Sequence, residues 1–415
     1  MHDPHEASVN ANTSSETSAD GVATPLSRRD FVSLTALGAL GVVGLDPSRI
    51  AAAFRSDRLL YVGTYTSDGR SKGIYWVRMS RDTGALSVGG LAATTSNPSF
   101  LTLSADGKFA YAVNEVGELN GRPTGGLTAF VRDRATNTLR EIASQPTGGA
   151  DPCYVTTDRR GKFLLVANYN GGSVSVFPIL TDGGVGAATS FVQHHGKGPD
   201  SSRQEAPHAH CVLPDPSNRF VLVADLGLDR ILTYGFDERT GTLTPSPVAE
   251  GMLSPGAGPR HLAFHPNGKS VYVTNELTST VSRLRYDSAT GSSTERQMVP
   301  SVGVPTTERN YPADIHVHPS GRFLYMSNRG HDSIAAFAID GASTDLHPLQ
   351  LMPTGGKWPR NFAIDASGEF MLVANQKSDD IHSFRIDRKT GRLTSTGQSV
   401  SLPAPVCIAF VPDAG

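Results

Sequence analysis

The chain has 415 residues, 38% hydrophobic and 18% charged, with a formal net charge of −2. That is an ordinary soluble composition, long enough for a large core, and it offers no basic surface for nucleic acid. Three cysteines, Cys153, Cys211 and Cys407, are odd in number and far apart, which argues against a disulfide framework or a CxxC site and reads as small buried residues.

In chain order, residues 1–26 are polar and poor in aromatics and read as a disordered extension. Residues 27–53 open with Ser27-Arg28-Arg29-Asp30-Phe31, continue through an Ala-, Gly- and Leu-rich stretch to Leu45, and end near Ala51-Ala52-Ala53. This segment resembles a bacterial twin-arginine signal. Its apolar run of about 15 residues is short for a span of about 20. The expectation is export to the periplasm or beyond by the twin-arginine machinery, with no stable membrane anchor after cleavage near Phe54.

From residue 54 to 415 the pattern changes to a repeat. Leu59-Leu60-Tyr61-Val62-Gly63-Thr64 reads as a strand with no partner before it. Six full copies of one unit then begin at Ser99, Cys153, His210, Arg260, Ala313 and Arg360, five of them just after a proline. Each closes on Asn or Asp 15 residues later, at 114, 168, 225, 275, 328 and 375. Within one unit, residues 260–264 form a first strand, Pro266-Asn267-Gly268-Lys269 a turn, and residues 270–274 a second strand. Residues 279–287 form a third, and a weaker fourth lies near 297–299. A final half-copy, Pro405 to Val411, matches a first strand with nothing after it. Repeats of about 50 residues made of four short strands describe propeller blades. The complementary half-copies at the two ends predict a seventh blade built from both termini, and hence an all-β, seven-bladed propeller without an open edge.

First and second strands of a blade are antiparallel, so the start of one and the end of the other share one mouth of the channel. Around that mouth the sequence places His210, Arg260, Glu276, Arg329 and Arg360 on one arc. Imidazole, carboxylate and guanidinium groups together suit addition of water to an acyl carbon: Glu276 or His210 could take the proton, and Arg260 and Arg329 could hold the oxyanion or a bound anion. The same groups could equally form a structural ion-pair network. The recurring asparagines, Asn275 and Asn328 among them, read first as strand-end turn formers and second as substrate contacts. His261 is expected to point to the opposite side of its strand from Arg260 and to serve as a structural partner. His208-Ala209-His210 and His316-Val317-His318 have the spacing of paired imidazoles, but no further ligand stands at a telling distance and no metal or other cofactor is assigned. No GxSxG motif indicates an acyl-enzyme.

Several motifs stand in order: Leu60-Tyr61-Val62-Gly63-Thr64-Tyr65-Thr66, Pro207-His208-Ala209-His210, Ala224-Asp225-Leu226-Gly227-Leu228-Asp229-Arg230, Gly258-Pro259-Arg260-His261, Asn275-Glu276 and Ser327-Asn328-Arg329-Gly330. Over about residues 57–412 the chain resembles the lactonase family of seven-bladed propellers, which includes a cycloisomerase-type 6-phosphogluconolactonase and a carboxy-muconate cyclase. The resemblance implies a His, two Arg and a Glu as active residues. These are Arg260, Glu276 and Arg329, with His208 or His210. It implies a small-molecule lactone as substrate, opened by hydrolysis, with Arg360, His208, Asn275 and Asn328 as candidate substrate contacts. The alternatives are a cyclase acting on an unsaturated dicarboxylate and a propeller that only binds.

Overall fold

The computed structural model describes residues 57–246, 251–303 and 309–413. The extension and signal segment expected within residues 1–53 lie outside the described residues. Residues 57–415 form one unit by internal contacts.

Seven antiparallel sheets follow one another along the chain. The seventh joins the termini as expected. Pro405–Phe410 pairs with Arg58–Thr64, which pairs with Gly73–Met79 and then Leu86–Thr94. We call this blade 1. Blades 2 to 7 begin with Leu101–Leu103, Pro152–Thr157, Ala209–Pro214, Pro259–Phe264, Tyr311–Val317 and Pro359–Ile364. Blades 1 to 3 and 5 to 7 have four strands each. In blade 4, however, Arg230–Asp237 pairs with two short strands, Thr242–Pro245 and Gly251–Met252.

The first strands pack against one another in an unbroken cycle, from blade 2 to blade 3 and on round to blade 1 and blade 2 again. They are therefore the innermost strands. The hydrophobic core is divided among the blade-to-blade interfaces. Leu165, Val176, Val212 and Tyr234 pack blade 3 on blade 4, for example, and Leu60, Phe370, Leu372 and Ile408 pack blade 7 on blade 1. Both faces of each sheet are thus buried, which is why second strands such as Phe163–Asn168 read as continuous apolar runs rather than alternating ones. Recurrent tyrosines clasp neighbouring blades: the hydroxyls of Tyr61, Tyr272 and Tyr325 donate to the carbonyls of Asn137, Thr344 and Gly391.

The register confirms the shared mouth. Pro152, Ala209, Pro259, Pro312 and Pro359 stand opposite Asn168, Asp225, Asn275, Asn328 and Asn375. Directly after each of these pairs the inner strand slips register, so one or two residues fall out of the ladder. A bulge of this kind re-aims side chains. Here it frees Cys153, His210, Arg260–His261, Ala313–Asp314 and Arg360. The residue before the proline turns the chain in with a positive φ, as at Asp151, Gly258, Trp358 and Ala404.

Candidate active site

Glu276 follows the closing Asn275 of blade 5, and its backbone N–H donates to the Gly258 carbonyl, which fixes it at the mouth. Gly258 has φ +64°, and a Cβ there would meet Leu277 Cγ at 2.5 Å, so no larger residue fits. The Glu276 carboxylate is buried among three guanidiniums. Arg203 Nη2 donates to Oε1 at 2.6 Å and Arg329 Nη2 to Oε2 at 2.5 Å. Arg260 Nε lies 3.2 Å from Oε2, within ion-pair range but not aligned as a hydrogen bond. Arg260 also donates to the Ala313 carbonyl at 2.7 Å, and Arg329 to the Tyr311 carbonyl at 3.2 Å.

Arg329 is further held by aromatic faces: its guanidinium lies 5.9 Å from the Tyr311 ring and 5.5 Å from the Trp358 ring. On the other side of the mouth, Arg360 lies over Tyr65 at 5.3 Å and 3.9 Å from Glu115 Oε1, and the Tyr65 hydroxyl donates to the Glu115 carboxylate at 3.0 Å.

Burial alone would raise the Glu276 carboxyl, but Arg329, Arg203 and Arg260 outweigh it and hold it well below the usual carboxylate range. His210 moves in the other sense. Burial first, then Arg260, His261 and Arg360, hold its imidazole well below the ordinary histidine value, so it is neutral at pH 7. Its Nδ1 is 3.7 Å from Cys153 Sγ, and its ring meets Tyr169 edge-on at 5.4 Å and His261 at 5.2 Å. Burial pushes the Cys153 thiol up, so it stays protonated. His208 stacks on Tyr169 at 4.5 Å, places Nδ1 3.2 Å from the Tyr169 carbonyl, and has Nε2 3.3 Å from Glu205. Both histidines meet Tyr169.

The structure therefore brings His210, Arg260, Glu276, Arg329 and Arg360 to one mouth and sets His208 beside them. The side-chain nitrogens of Asn275 and Asn328 are engaged within the protein, as the first reading of them as strand-end turn formers expects, while Asn275 Oδ1 has no hydrogen-bond partner among the described residues. Asn275 Nδ2 donates to Thr280 and Ser282, and Asn328 Nδ2 faces Ser333 while its Oδ1 accepts from Asn310. Both side chains are buried as strand-end ties.

His261 has the structural role expected of it: it lies beside His210 and pairs Nδ1 with Asp314 at 2.8 Å. Asp314 also binds His316 at 3.0 Å and the Asn361 amide at 2.6 Å, so blades 5, 6 and 7 are tied at the axis. His261, Asp314 and His316 border the larger cavity, about 510 Å3, which also touches Pro266 and Pro319 and so lies toward the opposite end of the inner strands. A smaller cavity, about 230 Å3, adjoins Glu276 through Arg203. Among the described residues no group of three or more His, Cys, Asp or Glu side chains is arranged to hold a metal ion.

Arg203, Tyr65, Tyr169, Glu115, Tyr311 and Trp358 were not singled out for the site by sequence reasoning. Tyr169 and Glu115 each follow a closing asparagine, a position that signals the mouth. Arg203 sits in the loop before blade 4, where no period marks it. Gln204 beside it is fully buried and donates to the Leu226 carbonyl and Asp229, and this anchors the loop.

Comparison with known proteins supports the same region as the functional unit. The family model described as "Lactonase, 7-bladed beta-propeller" matches residues 59–410. A 6-phosphogluconolactonase of Bacillus subtilis is 38% identical over 351 residues, 85% of this chain and 97% of the relative. A 6-phosphogluconolactonase of Formosa agariphila is 34% identical over 72% of this chain and 84% of the relative. Among solved structures, a periplasmic gluconolactonase of Pseudomonas aeruginosa is 32% identical with a TM-score of 0.79, covering 86% of this chain and 99% of that one.

Proposed function

The chain belongs to the lactonase family of seven-bladed β-propellers, and from that premise we propose that it hydrolyses a sugar-type lactone, with His210 as base and the arginines around Glu276 as the electrophilic clamp. Neutral His210 accepts a proton from water as the water oxygen attacks the ring carbonyl carbon. Arg260, with an N–H that has no aligned acceptor, and Arg329 take up the negative charge that develops on the carbonyl oxygen. The tetrahedral species collapses by breaking the bond to the ring oxygen. That oxygen takes the proton back from His210, and an open-chain hydroxy acid leaves.

Glu276 is not the base in this scheme. A carboxylate that accepts from Arg203 and Arg329 and pairs with Arg260 as well has little basicity left. Its part is to hold Arg203, Arg260 and Arg329 in place. The observation that carries the reading is this contrast at one mouth: a carboxylate clamped by arginines beside an imidazole kept neutral. Base catalysis is worth about 10²–10⁴-fold and one oxyanion donor about 3–4 kcal/mol, which suits an activated ester.

The test is His210→Gln with His208→Gln as its counterpart, each assayed on a panel of sugar lactones. His210→Gln is expected to lower kcat by about 10²–10⁴-fold with a folded protein. If His210→Gln keeps wild-type kcat while His208→Gln loses it, the base is reassigned to His208. No turnover of any lactone by the wild type would leave a binding module, and turnover only of an unsaturated dicarboxylate would make it a cyclase.

We further propose that the chain is exported. The support is the paired-arginine segment at residues 27–53 and the periplasmic gluconolactonase among its structural relatives.

A further inference from the structure

The bulges of two neighbouring blades bring Cys153 and His210 together although 57 positions separate them. Each is the residue dropped from its ladder, Cys153 between Pro152 and Tyr154 and His210 between Ala209 and Cys211. A residue released in this way is aimed by its own contacts rather than by the pleat of the sheet. Cys153 is a free cysteine, buried at 5% exposure. Its Sγ meets three atoms of blade 4: the His210 carbonyl at 3.4 Å, the Ala209 carbonyl at 3.8 Å and His210 Nδ1 at 3.7 Å. Other flanks of the imidazole are met by rings, Tyr169 and His261.

The proton count fixes how these atoms share. A thiol has one proton to give and weak lone pairs to receive, and a neutral imidazole has one N–H and one bare nitrogen. The two carbonyls near Sγ can only accept, so the S–H turns to them, the His210 carbonyl being the nearer. Sulfur then faces Nδ1 with a lone pair, and Nδ1 carries the imidazole proton. The other tautomer would set a bare Nδ1 against a sulfur lone pair, or take the S–H off the nearer carbonyl. A thiolate beside an imidazolium is not the resting pair, because burial raises the thiol and holds the imidazole low. With Nδ1 protonated, the basic lone pair stands on Nε2, across the ring from Cys153.

We infer that Cys153 is a positioning residue: it fixes His210 as the Nδ1–H tautomer, so that Nε2 is the nitrogen that takes the proton from the attacking water. This rests on the lactonase reading and adds to it which nitrogen acts and what holds it. The acting nitrogen of a histidine is set by the bond that the other one makes. In the step, the water oxygen bonds to the ring carbonyl carbon as its proton passes to Nε2. The imidazolium keeps its Nδ1–H on sulfur, and Nε2 returns the proton to the ring oxygen as the acyl–oxygen bond breaks. Cys153 neither gains nor loses a proton and forms no bond to substrate. A neutral partner suits this return, whereas a carboxylate in the same place would hold the imidazole charged.

The experiment reads tautomer and rate in the wild type and in Cys153→Ala. Long-range proton–nitrogen NMR on protein carrying nitrogen-15 histidine tells a protonated from a bare ring nitrogen, and His210→Gln identifies the His210 signals. Rates are taken on glucono-δ-lactone and its 6-phosphate, and Tm checks folding. Cys153→Val, which fills the space without a polar atom, replaces the alanine variant should that one melt early. The wild type should show Nδ1 protonated and Nε2 bare. Cys153→Ala should add the Nε2–H form and lower kcat by about 2–10-fold, the worth of one neutral hydrogen bond, with KM nearly unchanged. A wild-type ring protonated at Nε2 overturns the proposal. So does a variant that keeps the wild-type tautomer, whatever its rate, or one that changes tautomer at unchanged kcat. An acyl adduct on Cys153, seen by mass spectrometry of enzyme quenched during turnover, would make the thiol a nucleophile and overturns it too. Each of these results leaves lactone hydrolysis itself standing. If the wild type opens no lactone, the hydrolase reading fails, and the spectra alone decide whether Cys153 sets the tautomer: a shift in the variant upholds that part, and no shift removes it.

Discussion

Glu276 and His210 are a few side chains apart and have opposite electrostatic fates, and each gives a prediction. Removing the charge of Glu276 leaves Arg203, Arg260 and Arg329 facing one another without their anion. Glu276→Gln should therefore cost about 3–5 kcal/mol in a denaturant titration, as expected when one partner of a buried charge cluster is lost. Its loss of activity then reports disorder of the clamp as well as chemistry, which is why His210 and not Glu276 is the clean probe of catalysis. Because burial and its cationic neighbours depress His210, the acid limb of the rate profile should lie well below the ordinary histidine value near 6.5, read as kcat/KM against pH on folded enzyme. A limb centred at 6.5 would place the base elsewhere.

At the scale of strands and blades, the inner-strand bulge and the axial tie matter most. His261 is lowered to about 4 by burial first and then Arg260. Below pH 6.5 the unfolded chain binds a proton at His261 that the folded chain refuses, and the same holds for His210. With more protons on the unfolded side, stability rises with pH. It should be fully present above 6.5 and be lost progressively as pH falls toward 4, with His261 alone contributing on the order of 2–3 kcal/mol. His316 runs the other way: Asp314 outweighs burial and raises it, so its contribution is complete below 6.5 and is lost as pH rises through its folded value. Urea titrations between pH 4 and 7 would show the fall, and His261→Gln should flatten it. The blade clasps are more modest. Tyr272→Phe leaves the Thr344 carbonyl without its donor and should cost about 1–3 kcal/mol in the same assay.

For the whole molecule, closure and export are the testable properties. Removing residues 405–413 takes the innermost strand from blade 1 and bares Arg58–Thr64 along one edge. Such an edge templates further pairing, so the truncated chain should aggregate, as light scattering would show, rather than persist as an open ring. Replacing Arg28 and Arg29 with Lys should hold the protein in the cytoplasm. Fractionation showing undiminished export would remove the twin-arginine assignment.

The blades, their number and the mixed seventh sheet were legible because they depend on local alternation and a fixed step of 15 residues, which strand geometry turns directly into a shared mouth. The placement of Arg260, Glu276 and Arg329 followed from that step alone. What those groups do to one another came from contacts between residues far apart in the chain. Arg203 reaches Glu276 across 73 positions and Arg329 reaches it across 53. No period records such a meeting. Only tertiary structure decided that the carboxylate is clamped and the imidazole neutral, and that Asp314 is the partner of His261. Backbone pattern is written locally in a sequence, whereas burial and the field of neighbouring charges arise only once the ring has closed.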